Sequence, residues 1–266
     1  MSLQLDHIVI AVDDLAQAIE DYRNLGFNVR QGGRHSAGTT ENALISLQDD
    51  AYIELIAPTG EAPSGEGTDF RILLKDEPGF TGFALLADDL DAQADRLRGQ
   101  QVPVGAVQTG RRTRTDGETL AWKLAFIEET VSPFYIQDVT ARALRTGDPQ
   151  QAEHGNGVRG VFDVMLLVAD VLQAIPLYST YFGQMPQMID SNAVFILANT
   201  TLTLTAPRTD EQRAYYAQRG SVPYKLTLLT GDPQIETANV HGAKIDFVER
   251  AVPLDGSLPP EGTTMA

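Results

Sequence analysis

Cysteine is absent from the 266 residues, which excludes disulfides, thiolate zinc sites and a cysteine nucleophile, and argues against a stapled secreted scaffold. Basic residues are scarce. Lys and Arg total 20 against 36 Asp and Glu, a net charge of −16. Such a chain repels phosphate backbones and anionic lipid surfaces, so neither nucleic acid nor membrane is expected as a partner. No apolar run approaches the roughly 20 residues that span a bilayer. The opening Met1-Ser-Leu-Gln-Leu-Asp-His7 also lacks the basic and apolar regions of a signal peptide, and a cytoplasmic location is the expectation. Phosphate-binding signatures are missing: Gly32-Gly33 and Gly155-Asn-Gly157 match neither a P-loop nor a dinucleotide fingerprint, and no Gly-x-Ser-x-Gly elbow occurs. No nucleotide cofactor is expected. What remains, with 42% hydrophobic and 21% charged residues, is a globular chain long enough for two compact domains.

The chain repeats itself, and a fixed period reveals architecture before propensity does. His7-Ile-Val-Ile-Ala-Val-Asp-Asp-Leu-Ala-Gln-Ala-Ile19 aligns without a gap on Asp163-Val-Met-Leu-Leu-Val-Ala-Asp-Val-Leu-Gln-Ala-Ile175, an offset of 163 − 7 = 156. Asp14 meets Asp170, Gln17 meets Gln173 and Tyr22 meets Tyr178. Glu41-Asn-Ala-Leu-Ile-Ser-Leu47 then falls over Ser191-Asn-Ala-Val-Phe-Ile-Leu197, and Ala57-Pro58 and Ala206-Pro207 close both units. Weaker starts at Phe83 to Leu90 and Lys225 to Asp232 bring the count to four.

Each unit reads as strand, helix, three strands. In the first, Leu15, Ala18, Ile19, Tyr22 and Leu25 share one helical face, Asp14 can cap the helix with Gln17 reaching back, and Gly26 can stop it. Segments rich in β-formers follow from Asn42 to Leu47 and from Tyr52 to Ile56. The expected class is α+β, repeated βαβββ modules whose pairing encloses a cavity between concave mixed sheets. Residues 1–145 form the first domain and 158–266 a degenerate second one, with the Gly-rich stretch 146–157 as linker. Beyond Phe247 only a Pro- and Gly-rich tail remains, so the last module is expected to be truncated, its final strands partly missing.

Leu5-Asp6-His7, Gly32-Gly33-Arg34-His35, Thr40-Glu41-Asn42, Tyr52-Ile53-Glu54-Leu55, Asp116-Gly117 with Trp122, and Pro133-Phe134-Tyr135-Ile136-Gln137 together resemble the glyoxalase-like domain proteins of the vicinal oxygen chelate superfamily. That superfamily includes glyoxalase I, extradiol dioxygenases and bleomycin-resistance proteins. The resemblance implies a site built from the first and fourth strands of two paired modules. On these positions it implies His7 and Glu54 as catalytic residues and as ligands of a divalent metal (Zn, Ni, Mn or Fe), with Gln137 as a further ligand. The second module supplies Gly82 opposite His7 in the alignment (89 − 14 = 75) and Gln137 near the place of Glu54, so the ligand set is incomplete. In the second half Asp163, Thr203 and Lys225 take the equivalent places, leaving a structural or interaction role, with a homodimer as a further expectation.

Alternation puts His7, Val9 and Ala11 on one strand face and Ile8, Ile10 and Val12 on the helix side. An acid flanked by Tyr52, Ile53, Leu55 and Ile56 reads as a carboxylate in a partly dry pocket rather than at a solvated sheet edge. Further candidate substrate-binding residues each have a plainer alternative. His35 is a pocket lid or part of an ordinary loop between strands. Asn42 binds ligand or makes a turn shared with Asn192. Arg111 and Arg112, in the one basic cluster, capture an anion or line a solvated hairpin. Trp122 lines the pocket or packs in the core, and Gln137 binds as above. Two functions follow: a metal-dependent lyase, isomerase or dioxygenase acting on a small anionic molecule, or a metal-free protein that sequesters such a molecule.

Overall fold

A computed structural model of the chain describes residues 3–64, 67–114, 116–128, 130–232 and 235–249. The first module runs β1 (Gln4–Ala11), α1 (Leu15–Asn24), β2 (Arg30–His35), β3 (Thr40–Ser46) and β4 (Tyr52–Pro58). The second repeats it as β5 (Gly79–Leu86), α2 (Leu90–Gly99), β6 (Gln108–Thr113), β7 (Thr119–Ile127) and β8 (Thr130–Asp138). After α3 (Arg142–Thr146) come β9 (Val158–Leu167), α4 (Val171–Phe182), β10 (Gln187–Ile189), β11 (Asn192–Ile196) and β12 (Thr201–Thr205). The chain then continues through α5 (Asp210–Arg219), β13 (Pro223–Thr230), β14 (Ala238–Val240) and β15 (Ala243–Glu249). The eight strands of modules one and two close a barrel in the order β1-β4-β3-β2-β6-β7-β8-β5, and the rest form an open sheet, β10-β11-β12-β9-β13-β15-β14.

The local signals act as read, with differences of detail. Asp14 accepts a hydrogen bond from the Gln17 backbone at 3.0 Å, while the Gln17 amide reaches forward to Asp21 at 2.9 Å instead of back. Gly26, at φ +86°, follows the helix end. Alternation along β1 splits its residues between two cores. Ile8, Ile10 and Val12 join an outer cluster under the helices that runs through all four modules. Val9 and Ala11 join an inner cluster that fills the barrel with Leu120, Trp122, Leu124, Phe126, Phe134 and Ile136. Phe70 and Leu73, on a 3-10 turn (Phe70–Leu73) between β4 and β5, complete that inner cluster.

Register shows how faithfully the module repeats. Val9 pairs with Gly82 and His7 with Ala84, so the 75-residue offset maps the β1–β5 pair onto itself and sets Gly82 opposite His7. In the second half Met165 pairs with Lys225 and Asp163 with Thr227, which puts Asp163 and Lys225 at the same two places. In all four first strands one extra residue interrupts the ladder just before that place: Asp6, Thr81, Phe162 and Tyr224. Each is a β-bulge, which breaks alternation and re-aims the side chains beside it.

Two expectations change. The fourth module is truncated, but differently: β15 pairs in parallel with β13 as β4 does with β1. The fourth strand is therefore present, while the helix and one strand are missing among the described residues; α5 precedes β13. His241 lies in the β14–β15 turn at φ +47°, facing Asp21 at 3.0 Å. The stretch 146–157 is packed rather than free, since His154 joins the Asn28 backbone to the Ser46 carbonyl, both at 2.9 Å, and Asn156 donates to Leu25. The tail beyond Glu249 lies outside the described residues.

Candidate functional site

The bulge at Asp6 delivers two consecutive side chains to the barrel's interior. His7 is 2% exposed and Asp6 fully buried, with His7 Nδ1 2.6 Å from Asp6 Oδ1. Behind Asp6 stand two guanidinium groups. Arg145 reaches Oδ1 and Oδ2 at 2.6 and 2.9 Å, and Arg142 reaches Oδ2 at 2.6 Å. Burial alone would raise the Asp6 pKa, but the charge and hydrogen bonds of Arg145, joined by His7, outweigh it and hold the carboxyl well below the usual range.

Glu54 enters from β4, two residues past the His7–Tyr52 pair. Its Oε2 lies 3.4 Å from His7 Nε2, and its Oε1 accepts from Asn42 Nδ2 at 2.5 Å and lies 3.7 Å from His35 Nε2. Asn42 turns its other atom to Arg112, whose Nη1 donates to Oδ1 at 2.7 Å. A cation on one side and an anion on the other thus fix which way the amide points. Burial lowers the Arg112 pKa to about 10, so it stays charged at neutral pH. Burial lowers His35 to about 4 against the opposing pull of Glu54, so it is neutral there.

Two glycines make room for this arrangement. A Cβ on Gly32 would lie 1.9 Å from Arg112 Nη1 and 2.0 Å from Asn42 Oδ1, and one on Gly110 would lie 2.3 Å from the Trp122 indole nitrogen. The cavity left among His7, His35, Glu54, Trp122 and Phe134 measures about 20 Å³, enough for a water-sized group and not for an organic molecule. Phe70 covers it, its ring centroid 4.5 Å from that of His35 and 6.3 Å from that of Trp122 with the planes tilted by 37° and 41°.

His7, His35, Asn42, Glu54, Arg112 and Trp122 therefore line one cavity. His35 does so not from a loop but as the last residue of β2, where it pairs with Arg112 across the β2–β6 seam that closes the barrel. Arg111, its neighbour on β6, points outward and is exposed. Gln137 is also elsewhere: its amide caps α2, accepting from the Leu90 backbone at 3.1 Å and donating to the Asp88 carbonyl at 2.9 Å. Glu54 is the β4 partner of Val9. The matching residue Ala84 pairs with Phe134, so Phe134, not Gln137, stands where Glu54 has its counterpart. Asp6, Tyr52, Phe70, Phe134, Arg142 and Arg145 complete the site and were not singled out from sequence. Asp6, Tyr52 and Phe134 do stand within the motifs that carry the resemblance, and for Arg142 and Arg145 the visible signal is their spacing after Asp138.

This donor set does not fit the metal that the resemblance implies. The second module offers Gly82 and Phe134 at the ligand positions, Gln137 is engaged at α2, and no group of three or more His, Asp or Glu among the described residues is arranged to hold a metal ion. In the open sheet the same four places hold Asp163, Thr203, Lys225 and Asp246, the last being the β15 partner of Thr227. They satisfy one another: Thr203 donates to Asp163 at 2.7 Å and Lys225 pairs with Asp246 at 2.7 Å.

Closed pairing of two βαβββ modules around first- and fourth-strand residues defines the vicinal oxygen chelate class. The sequence model of the glyoxalase-like domain family matches residues 5–182, and the chain belongs to that family. Among solved structures it is similar to a hypothetical protein from Staphylococcus aureus, at 19% identity and a TM-score of 0.71, over 93% of this chain and 100% of that one. It also resembles methylmalonyl-CoA epimerase from Mycobacterium tuberculosis, at 28% identity and TM-score 0.40 over 52% of this chain and 90% of that one. A third likeness is to a xylose isomerase-like TIM barrel/4-hydroxyphenylpyruvate dioxygenase fusion protein, at 16% and 0.50, covering 88% of this chain and 38% of that one. The first and third likenesses are of fold alone. No curated protein matches the sequence. No helix among the described residues is long and apolar enough to cross a membrane.

Proposed function

We propose that the barrel interior binds a small organic anion and moves a proton on it, as a lyase or isomerase does. Glu54 is the proton-transferring group, Arg112 the partner of the anion, and Asn42 the side chain that holds Glu54 in place, with His7 and His35 beside its two oxygens. One observation carries the reading: an unbroken polar line, Arg112 to Asn42 to Glu54 to His7, crosses an otherwise aromatic and aliphatic cavity. Arg112 is buried and donates to Asn42, and no described carboxylate forms an ion pair with it. Its remaining donors suit the oxygens of a carboxylate or enolate. Glu54 would take a proton from the carbon beside a carbonyl, the electron pair moving onto the carbonyl oxygen and the resulting enolate resting against Arg112. Entry requires the Phe70–Leu73 turn to swing aside, because the cavity beneath it is too small for such a ligand.

A second reading, capture without turnover, is favoured by the inert second-module positions Gly82 and Phe134. One experiment separates the two. Pyruvate, acetoacetate and malonate are each incubated with the protein in D2O, proton NMR reads exchange of carbon-bound hydrogen, and Trp122 fluorescence reads binding. Exchange that Glu54→Gln abolishes supports catalysis, and binding without exchange supports capture. Neither binding nor exchange with any of the three would count against both.

A further inference from the structure

One guanidinium touches both groups that hold the His7 ring. Arg145 lies on α3, 139 residues along the chain from Asp6, outside every strand of the barrel. Its two terminal nitrogens take the two oxygens of Asp6, and Nη1 also donates to the Tyr52 hydroxyl at 2.9 Å. Asp6 grips His7 in the plane of its ring through Nδ1. Tyr52 covers the face, with ring centroids 4.6 Å apart and planes inclined by 17°. Phe134 meets the ring edge-on at 5.4 Å. Asp138 in turn fixes the guanidinium from behind, accepting Nε at 2.7 Å and Nη2 at 2.8 Å. Only a planar fork can make all these contacts at once; a lysine is a point charge and reaches one of them.

We propose that Arg145 is a positioning residue of the His7–Glu54 site. By holding Asp6 and Tyr52 together it keeps the Nδ1 hydrogen of His7 toward Asp6 and so aims Nε2 at Glu54. The inference rests on the barrel interior being the functional site, but its geometry needs no ligand. Glu54 then faces a nitrogen whose orientation and tautomer are set from the far side of the ring. Arg142 contributes charge to Asp6 without touching Tyr52, so the two arginines differ in kind.

The test uses the full chain with 15N-labelled histidine and no ligand. The four histidines are assigned through single His→Gln variants, and long-range proton–nitrogen correlations are recorded from pH 6 to 9. In the wild type, His7 should show a persistent Nδ1 hydrogen and an Hε1 resonance moved upfield by the Tyr52 ring. Arg145→Gln and Arg145→Lys should both lose that Nδ1 signal, populate the other tautomer and return Hε1 downfield. Arg142→Gln should keep the wild-type pattern. Asp138→Asn, which frees only the back of the guanidinium, covers the case in which neither Arg145 variant folds, and should show partial loss. Unchanged His7 signals in a folded Arg145 variant, or in Asp138→Asn, would overturn the proposal. So would equal loss in Arg142→Gln, which would mean that charge matters and the fork does not. None of these readings depends on whether a substrate is turned over.

Discussion

Replacing Asn42 tests the polar line at its narrowest point. In Asn42→Ala two charge-assisted hydrogen bonds disappear, each worth about 1.5–3 kcal/mol, and the Arg112 guanidinium and Glu54 carboxylate stay behind, buried and unbridged. Removing one member of a buried charged network costs about 3–5 kcal/mol, and that is the expected loss. At about 2–4 °C per kcal/mol for a chain of this size, the melting temperature should fall by roughly 6–20 °C. Asn42→Asp behaves differently. The new carboxylate can pair with Arg112, but its second oxygen replaces the nitrogen that lies 2.5 Å from Glu54 Oε1. Two carboxylates so close share one proton, so the pair's folded-state pKa is raised. The folded state then binds more protons than the unfolded one, and stability falls as pH rises through the acid range toward neutrality. Urea unfolding followed by Trp122 fluorescence and circular dichroism should place Asn42→Asp near the wild type at pH 4–5 and well below it at pH 8. A loss under about 1 kcal/mol for Asn42→Ala, or a pH-independent Asn42→Asp, would refute the bridging role.

Gly110→Ala should push the indole of the sole tryptophan off β6, because the added Cβ would lie 2.3 Å from its nitrogen. Overpacking of this kind costs about 1–3 kcal/mol, and a red-shifted emission maximum would report it. Phe70→Ala should uncover Trp122 and raise its quenching by iodide; an unchanged quenching constant would show that Phe70 is not the cover. Asp49 ties module three to the β3–β4 turn by accepting from the Val161 and Ala51 backbones at 2.6 and 3.1 Å. Burial outweighs those bonds and raises its pKa to about 6. With the folded value above the unfolded one, this group's contribution is present below about pH 4 and is lost as pH rises through 6, a change of roughly 3 kcal/mol. Asp49→Asn should remove that part of the pH dependence of unfolding, and a slope identical to wild type would contradict it.

The module repeat is legible because the same apolar strand pattern recurs ahead of a capping Asp on α1, α2 and α4, so His7-Ile-Val-Ile and Asp163-Val-Met-Leu betray the same strand. Glu54 is legible for the same reason, since an acid amid Tyr52, Ile53, Leu55 and Ile56 has few other uses; Arg112 is legible from the one basic cluster, and His35, Asn42 and Trp122 from the motifs that carry the resemblance. Gln137 was misplaced because the approximate alignment ran three residues past Phe134, and only the β5–β8 ladder fixes that register. Barrel closure was equally hidden, since whether β2 meets β6 depends on two short strands whose sequences, Arg30 to His35 and Gln108 to Thr113, carry no strong pattern. Arg145 is hidden in the sequence because its partners lie on other elements, and a five-residue helix just ahead of the Gly-rich stretch leaves little periodicity to read.

The recurring bulge also bears on how such a chain can change. Asp6, Thr81, Phe162 and Tyr224 occupy one backbone irregularity in four copies, yet only one copy presents an acid followed by a histidine. Backbone shape and side-chain chemistry have thus drifted apart: the scaffold for a paired site exists four times over and is used as such once. A designer wanting a new histidine–carboxylate pair in the open sheet would need to alter side chains at Phe162 and Asp163 but no main-chain geometry. The duplication has left spare sockets already shaped for the part.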